Sequence, residues 1–394
     1  MSRSVVVVSG VRTAVGTFGG SLAGKAPTEL GAAMVTESLS RAGIDADRVG
    51  HVVFGHVINT EPRDMYLSRV SAIEGGLPHH VPALTLNRLC GSGLQAVISA
   101  SQSILLGDTD VAIAGGAEVM SRGPHATQQF RTGLKMGDAT MRDMMIGALH
   151  DPFANIHMGV TAENVAEKYG ISREDQDALA VESHRRAAAA IEAGRFRDQI
   201  MPVDVSTRRE TRSFDTDEHV RADASLEKMA GLKPVFKREG GTVTAGNASG
   251  INDGAAALVL MEEDVAKAAG KTPMARIAGY AHAGVDPNLM GIGPVPASEK
   301  LLDKLGVSVD DLDVIEANEA FASQALAVAR GLGLDPAKVN PNGSGISLGH
   351  PIGATGAIIA IKALYELERI DGRYALVTMC IGGGQGIALL FERV

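Results

Sequence analysis

The chain has 394 residues, 45% of them hydrophobic, which allows two or three domains with an ample core. A formal charge of −9, no tryptophan and few aromatic residues argue against a nucleic-acid partner. Two distant cysteines exclude a disulfide framework and, with no His/Cys spacing pattern, a structural zinc site, so a reducing, cytoplasmic setting with no bound metal is expected.

The apolar run at residues 5–8 reads as a buried strand ending at Ser9-Gly10. It is too short for a signal peptide, and no stretch approaches the roughly 20 apolar residues of a membrane span. Pro27-Thr28-Glu29-Leu30 opens a helix through about Arg41, closed by Gly43. His51-Val52-Val53-Phe54-Gly55 reads as a strand, and residues 61–74 as a helix with Met65, Leu67, Val70 and Ile73 apolar. A short strand at residues 81–86 leads into Asn87-Arg88-Leu89-Cys90-Gly91-Ser92-Gly93, and an apolar helix follows, closed by Asp108-Thr109-Asp110. Residues 111–114 are a buried strand, and Gly115-Gly116-Ala117-Glu118 reads as another glycine turn.

From Met120 the character changes. Residues 121–249 are richer in Arg, Asp, His and Met, with helices but little strand pattern. One helix covers 161–169 and stops at Gly170. Ser172-Arg173-Glu174-Asp175 resembles a capping box and opens a long helix that ends at Gly194. Residues 207–240 are charged and loop-like, with Arg208, Arg209, Arg212, Arg221, Lys228, Lys233, Lys237 and Arg238. They form a solvated loop or, as a group, a face for an anionic ligand. Core character returns at residues 246–254, followed by a helix-like Ala255-Ala256-Ala257, a strand at 258–261 and a helix at 262–269 capped by Gly270.

Cys90 stands at the turn between strand and helix. A helix N-terminus carries unpaired N–H groups and positive partial charge, which lowers a thiol pKa. A buried structural cysteine is the alternative reading. The last third echoes this stretch. Residues 350–356, His-Pro-Ile-Gly-Ala-Thr-Gly, precede a helix, then Asp371-Gly372-Arg373, a strand at 374–379 and Cys380-Ile381-Gly382-Gly383-Gly384. A duplicated α/β unit explains both, and short apolar strands alternating with helices imply a sheet covered on both faces. Packed as a pseudo-dimer, the halves would gather Cys90, His350, Cys380 and Asn318. A thiolate nucleophile needs a base, which His350 supplies. A second thiol can move a carbon-bound proton. An Asn amide and bare glycine N–H groups can hold oxyanions.

At these residues the chain resembles the thiolases over essentially its whole length. The motifs are Asn87-Arg88-Leu89-Cys90-Gly91-Ser92-Gly93, Asn318-Glu319-Ala320-Phe321, Gly345-Ile346-Ser347-Leu348-Gly349-His350-Pro351 and Cys380-Ile381-Gly382-Gly383-Gly384. Within the family it is most similar to the short-chain bacterial β-ketothiolases of polyhydroxyalkanoate synthesis. The resemblance implies a duplicated five-layer αβαβα fold with an inserted loop domain. Residues 1–120 plus 250–270 would form the N-terminal half, 121–249 a loop domain for coenzyme A, and 271–394 the C-terminal half. Cys90 would carry the acyl group, His350 would take its proton, and Cys380 would deprotonate the second acetyl-CoA. Asn318 would hold a water that forms one oxyanion hole with His350, and the N–H groups of Cys90 and Gly382 the other. His157, Met158 and Ser249 would meet the pantetheine, with Ala320 and Phe321 also at the ligand, and Arg221 the adenine nucleotide.

The resemblance further implies coenzyme A and acyl-CoA as substrates, no resident cofactor, no membrane, and the dimer or tetramer of the family, expected here as a homotetramer built as a dimer of dimers. The sequence departs from acetoacetyl-CoA-specific relatives at residues 60–66. A longer-chain degradative thiolase, a β-ketoacyl synthase, a papain-like hydrolase and a non-catalytic lipid-binding member are the rival readings.

Overall fold

The computed structural model describes residues 3–206 and 210–394, so Arg208 and Arg209 lie outside the described residues. Its main strands are β1 (Val5–Arg12), β2 (His51–Gly55), β3 (Ala83–Leu86), β4 (Val111–Val119), β5 (Asn252–Glu262), β6 (Ala275–Gly284), β7 (Val314–Ala317), β8 (Tyr374–Ile381) and β9 (Gln385–Glu392). Its main helices are α1 (Pro27–Ala42), α2 (Leu67–Glu74), α3 (Ser92–Leu106), α4 (Met158–Tyr169), α5 (Arg173–Glu192), α6 (Pro294–Leu305), α7 (Ala322–Leu332) and α8 (Ile352–Arg369).

The strands run in the order β7-β8-β9-β6-β1-β5-β4-β2-β3. In the N-terminal half β3, β2 and β4 are parallel, while β4, β5 and β1 are antiparallel. The C-terminal half repeats the pattern: β7 and β8 are parallel, and β8, β9 and β6 antiparallel. Beside β7, a single parallel bridge from Ile315 to Val339 stands where β3 stands beside β2. The halves meet along β1 and β6 over only Val6–Arg276 and Val7–Ala275.

Five layers result. Leu30 and Met34 of α1 and Leu67 of α2 cover the outer face of the first half. Leu301 of α6 and Val328 of α7 cover that of the second. Between the sheets lie α3 and α8, whose Leu94, Val97, Ile98, Ile358 and Ile361 pack with Ala112, Ala114, Val377 and Leu389 from both sides. Each such buried aliphatic side chain stabilises the fold by about 1.5–3 kcal/mol. The stretch Leu89–Leu106 has the length and mean hydropathy, 1.3, to cross a membrane. This departs from the expectation that no segment qualifies, and the reason is that α3 is apolar on both faces because both are covered.

The two central helices cross at their N-termini. A Cβ on Gly356 would fall 2.2 Å from Leu94 N, and one on Gly93 2.7 Å from Ala357 N. Only glycine allows this approach, and it brings together the residues just ahead of each helix, Cys90 and His350.

Several elements differ from expectation. Gly115-Gly116 is strand, not turn: it lies inside β4, where a Cβ on Gly116 would meet Gly353 O at 2.2 Å. Ala255-Ala256-Ala257 belongs to β5, because pairing with β1 and β4 on both sides overrides alanine's helix propensity. Residues 61–74 begin as a 3-10 turn, Pro62–Tyr66, before α2. The charged 207–240 stretch contains a strand, Thr211–Phe214, and a short helix, Leu226–Ala230. The helix expected at 161–169 starts earlier, at Met158, where the His157 side chain caps it.

Candidate active site

The turn that follows β3 is held by its own side chains. Arg88 N donates to Ser92 Oγ at 2.8 Å, Ser92 Oγ donates to Leu89 O at 2.7 Å, and Leu89 N donates to Asn87 Oδ1 at 2.8 Å. Leu89 takes φ +45°, a left-handed conformation costing an L-residue roughly 1–2 kcal/mol. Cys90 follows and opens onto a cavity of about 340 Å³. The N–H groups of Gly382 and of Cys90 itself face its sulfur.

The expected lowering of the Cys90 pKa is not found. Burial pushes the thiol up to about 11, the two N–H groups oppose this, and the charge of Glu118 adds to it. Low polarity around the sulfur outweighs the helix N-terminus, so at neutral pH Cys90 is a thiol that needs a base.

His350 sits two residues before α8, as Cys90 does before α3. Its Nδ1 lies 2.7 Å from Thr355 Oγ1, and that hydroxyl donates to Pro351 O at 2.9 Å. With the hydroxyl proton committed, Nδ1–H must be the donor, which leaves a lone pair on Nε2. Nε2 is buried without a hydrogen-bond partner among the described residues, and burial lowers the His350 pKa to about 4. The ring is therefore a neutral base whose free nitrogen is unspent. The main chain of His350 is fixed by its N–H, which donates to Asn252 Oδ1 at 2.9 Å.

Cys380 is the penultimate residue of β8, not part of the glycine turn, and it is buried. Burial raises its pKa strongly, and the charge of Cys90 raises it further. The turn after β8 uses Gly383 and Gly384 at φ +81° and +83° and leaves Gly382 on the cavity wall. Cys90, His350, Cys380 and Gly382 thus line one cavity.

Asn318 directly follows β7, its N–H donating to Thr378 O at 3.0 Å. Both atoms of its carboxamide are buried without a partner among the described residues, a costly state that points to a bound species. Asn318 does not itself line the cavity, whereas Ala320 and Phe321 do. They are pinned from the far side, because Ser249 N donates to Ala320 O at 2.9 Å and Ala248 bridges Phe321. Ser249, His157 and Met158 also line the cavity. His157 stacks on Phe236 at 4.6 Å, and burial followed by the nearby His150 lowers its pKa. Arg221 is apart from this group: it is exposed and contributes nothing to the cavity wall, its N–H donating to His184 Nδ1 at 3.1 Å.

Much of the rest of the wall is apolar, and Met120, Leu149, Val235, Phe236 and Met290 escaped the sequence reading. These come from irregular connections or element ends, where no periodicity marks a buried side chain. Glu118 was missed as well, hidden in a segment that reads as a turn.

Residues 5–264 match the model of the thiolase N-terminal domain and 271–393 that of the thiolase C-terminal domain. The chain is 68% identical to Beta-ketothiolase BktB of Cupriavidus necator over the full length of both. It is 53% identical to an acetyl-CoA acetyltransferase of Pseudomonas aeruginosa, covering 99% of this chain and 100% of that one. Among solved structures it resembles the Bacillus anthracis acetyl-CoA acetyltransferase, with a TM-score of 0.97 and 47% identity over 100% of this chain and 99% of that one. It also resembles human mitochondrial 3-ketoacyl-CoA thiolase in complex with CoA, with a TM-score of 0.96 and 43% identity over 100% and 98%.

Proposed function

The chain belongs to the thiolase family, and from that premise we propose how its own residues divide the chemistry. It is an acyltransferase, catalysing the reversible Claisen condensation of two short acyl-CoA thioesters and the CoA-dependent thiolysis of short 3-ketoacyl-CoA. One observation carries the assignment of roles: Cys90, His350, Cys380 and Gly382 line a single cavity.

In the first half-reaction, Cys90 gives its proton to His350 Nε2 as its sulfur attacks the thioester carbonyl. A thiol near pH 11 and a neutral imidazole suit this coupled transfer. The developing oxyanion meets the N–H groups of Cys90 and Gly382, coenzyme A leaves, and the acyl group stays on sulfur. The departing coenzyme A thiolate takes the Cys380 proton. In the second half-reaction the Cys380 thiolate removes the α-proton of acetyl-CoA, and the carbanion attacks the Cys90 thioester. The adduct collapses to 3-ketoacyl-CoA as the Cys90 sulfur leaves and takes its proton back from His350. Once acylated, Cys90 has no thiol left to ionise, so no charge on it can oppose the Cys380 thiolate. The unpartnered amide of Asn318 is suited to hold the water that, with His350, faces the enolate oxygen.

We assign residues 121–249 to coenzyme A binding, between an N-terminal half of 1–120 plus 250–270 and a C-terminal half of 271–394. His157, Met158, Ser249, Ala320 and Phe321 contact the pantetheine in this reading, supported by their place on the cavity wall. Arg221 meets the adenine nucleotide, supported by its exposure. No resident cofactor is needed, since two thiols, an imidazole and main-chain donors supply every proton and charge. Exposed Phe130, Met136 and Met141 support a homotetramer. The enzyme is assigned to the cytoplasm and to the supply of short 3-ketoacyl-CoA for polyhydroxyalkanoate synthesis, on the likeness of its motifs to the short-chain β-ketothiolases.

The test is CoA-dependent thiolysis of 3-ketoacyl-CoA at four, five, six and ten carbons. High kcat/KM at four and five with a fall beyond is the expected outcome. High rates at ten would move the enzyme to fatty-acid degradation.

A further inference from the structure

Glu118 is fully buried near the end of β4, and three backbone N–H groups converge on it. Val57 N and Ile58 N, on the chain leaving β2, donate at 3.0 and 3.1 Å. Gly353 N, in the first turn of α8, donates at 2.9 Å. A Cβ at position 353 would fall 2.3 Å from Glu118 Oε2, so glycine there is what lets the carboxylate reach the helix. The same helix begins two residues after His350.

We propose that Glu118 is a positioning residue for the acyl-transfer step, its carboxylate clamping the start of α8, and with it His350, to the exit of β2. There Ile58 and Ile352 form a cluster against which Cys90 packs. An anion at a helix N-terminus is favourable, and burial makes this contact stiff. His56 lies with Nδ1 3.4 Å from Glu118 Oε1, the Asp64 carboxylate lies 3.9 Å from His56 Nε2, and the Cys90 thiol feels the charge of Glu118. Glu118 thus has two separable effects. Its two oxygens, by accepting three N–H groups that an amide could not all satisfy, fix where His350 sits. Burial raises its own pKa, and in its ionised form its charge adds to the rise of the Cys90 pKa.

The two effects are tested with Glu118→Gln and Glu118→Asp, assayed by steady-state thiolysis of acetoacetyl-CoA and by the pH dependence of Cys90 alkylation with iodoacetamide, followed by peptide mass spectrometry. Misplacing a catalytic group by about 1 Å costs on the order of 100-fold. Both variants are therefore expected to lose about 10- to 100-fold in kcat with KM little changed. In Glu118→Gln the alkylation midpoint moves to lower pH, because the opposing charge is gone. In Glu118→Asp it stays in place, because the charge remains while the reach is short. A wild-type kcat in either variant would overturn the proposal. So would a Glu118→Gln enzyme that loses turnover with an unmoved midpoint, since that is what a merely structural residue would give. Should Glu118→Gln fail to fold, Glu118→Asp decides alone: a kcat loss at constant KM supports the role, and any other result removes it.

Discussion

At the end of β4 in the N-terminal half, the carboxylate of Glu118 receives three backbone N–H groups. After β7 in the C-terminal half, the carboxamide of Asn318 finds no partner among the described residues. Both side chains are buried. A satisfied buried group stabilises a framework, whereas an unsatisfied one is retained for what it binds. The duplication has therefore been used asymmetrically. The first half supplies Cys90, the proposed nucleophile, on a turn held by its own side chains. The second supplies His350 Nε2 and the Asn318 amide, whose hydrogen-bonding capacity is unspent among the described residues.

The strongest break of this comparison separates the two thiols. Cys90→Ser should lower both thiolysis and condensation on the order of 10⁴-fold or more, as removal of a nucleophile does. Intact-mass spectrometry should then find no acyl-enzyme. Cys380→Ser should lower condensation by about 100- to 10,000-fold, the scale of lost acid–base catalysis, yet still accept an acyl group on Cys90 from acetyl-CoA. Equal loss of acyl-enzyme in both variants would erase the division of labour.

Asn318→Ala tests the asymmetry at a single side chain. Turnover should fall about 100- to 1000-fold, the cost of one oxyanion donor. The melting temperature should not fall, since no protein hydrogen bond is removed. A large drop in thermal stability would mean that Asn318 belongs to the framework like Glu118. The smallest effect is expected at the exposed edge. Arg221→Ala should raise KM for coenzyme A only a few-fold at constant kcat, in line with about 0.2–1 kcal/mol for an exposed charge contact. An unchanged KM would remove Arg221 from the nucleotide site.

The residues that share the cavity were legible because glycine marks them. Cys90, His350 and Gly382 each lie in a glycine-rich turn next to an apolar helix or strand, and the repeat of that arrangement pointed to a shared site. The same residue misled where it serves packing. Gly115 and Gly116 look like a turn but are strand positions: Gly116 lets the start of α8 come close, and Gly115 makes room for Ala256 of β5. The thiol pKa was misjudged because a helix N-terminus is visible in sequence, while the apolar wall that outweighs it is not. That wall is assembled from Met120, Leu149, Val235 and Met290, on separate connections that only the tertiary fold unites. Glu118 was invisible for the same reason, as its three donors come from β2's exit and from α8.

The two-faced burial of α3 also bears on how the chain is made. Synthesis completes residues 92–106 long before residues 352–369, so α3 exists with one covering layer still missing. During that interval its apolar surface, long enough to pass for a membrane span, faces solvent or whatever binds it. Cys90 and His350 belong to different halves, so the cavity they share is complete only once the second half docks, and thiolysis is expected to appear no earlier than that step.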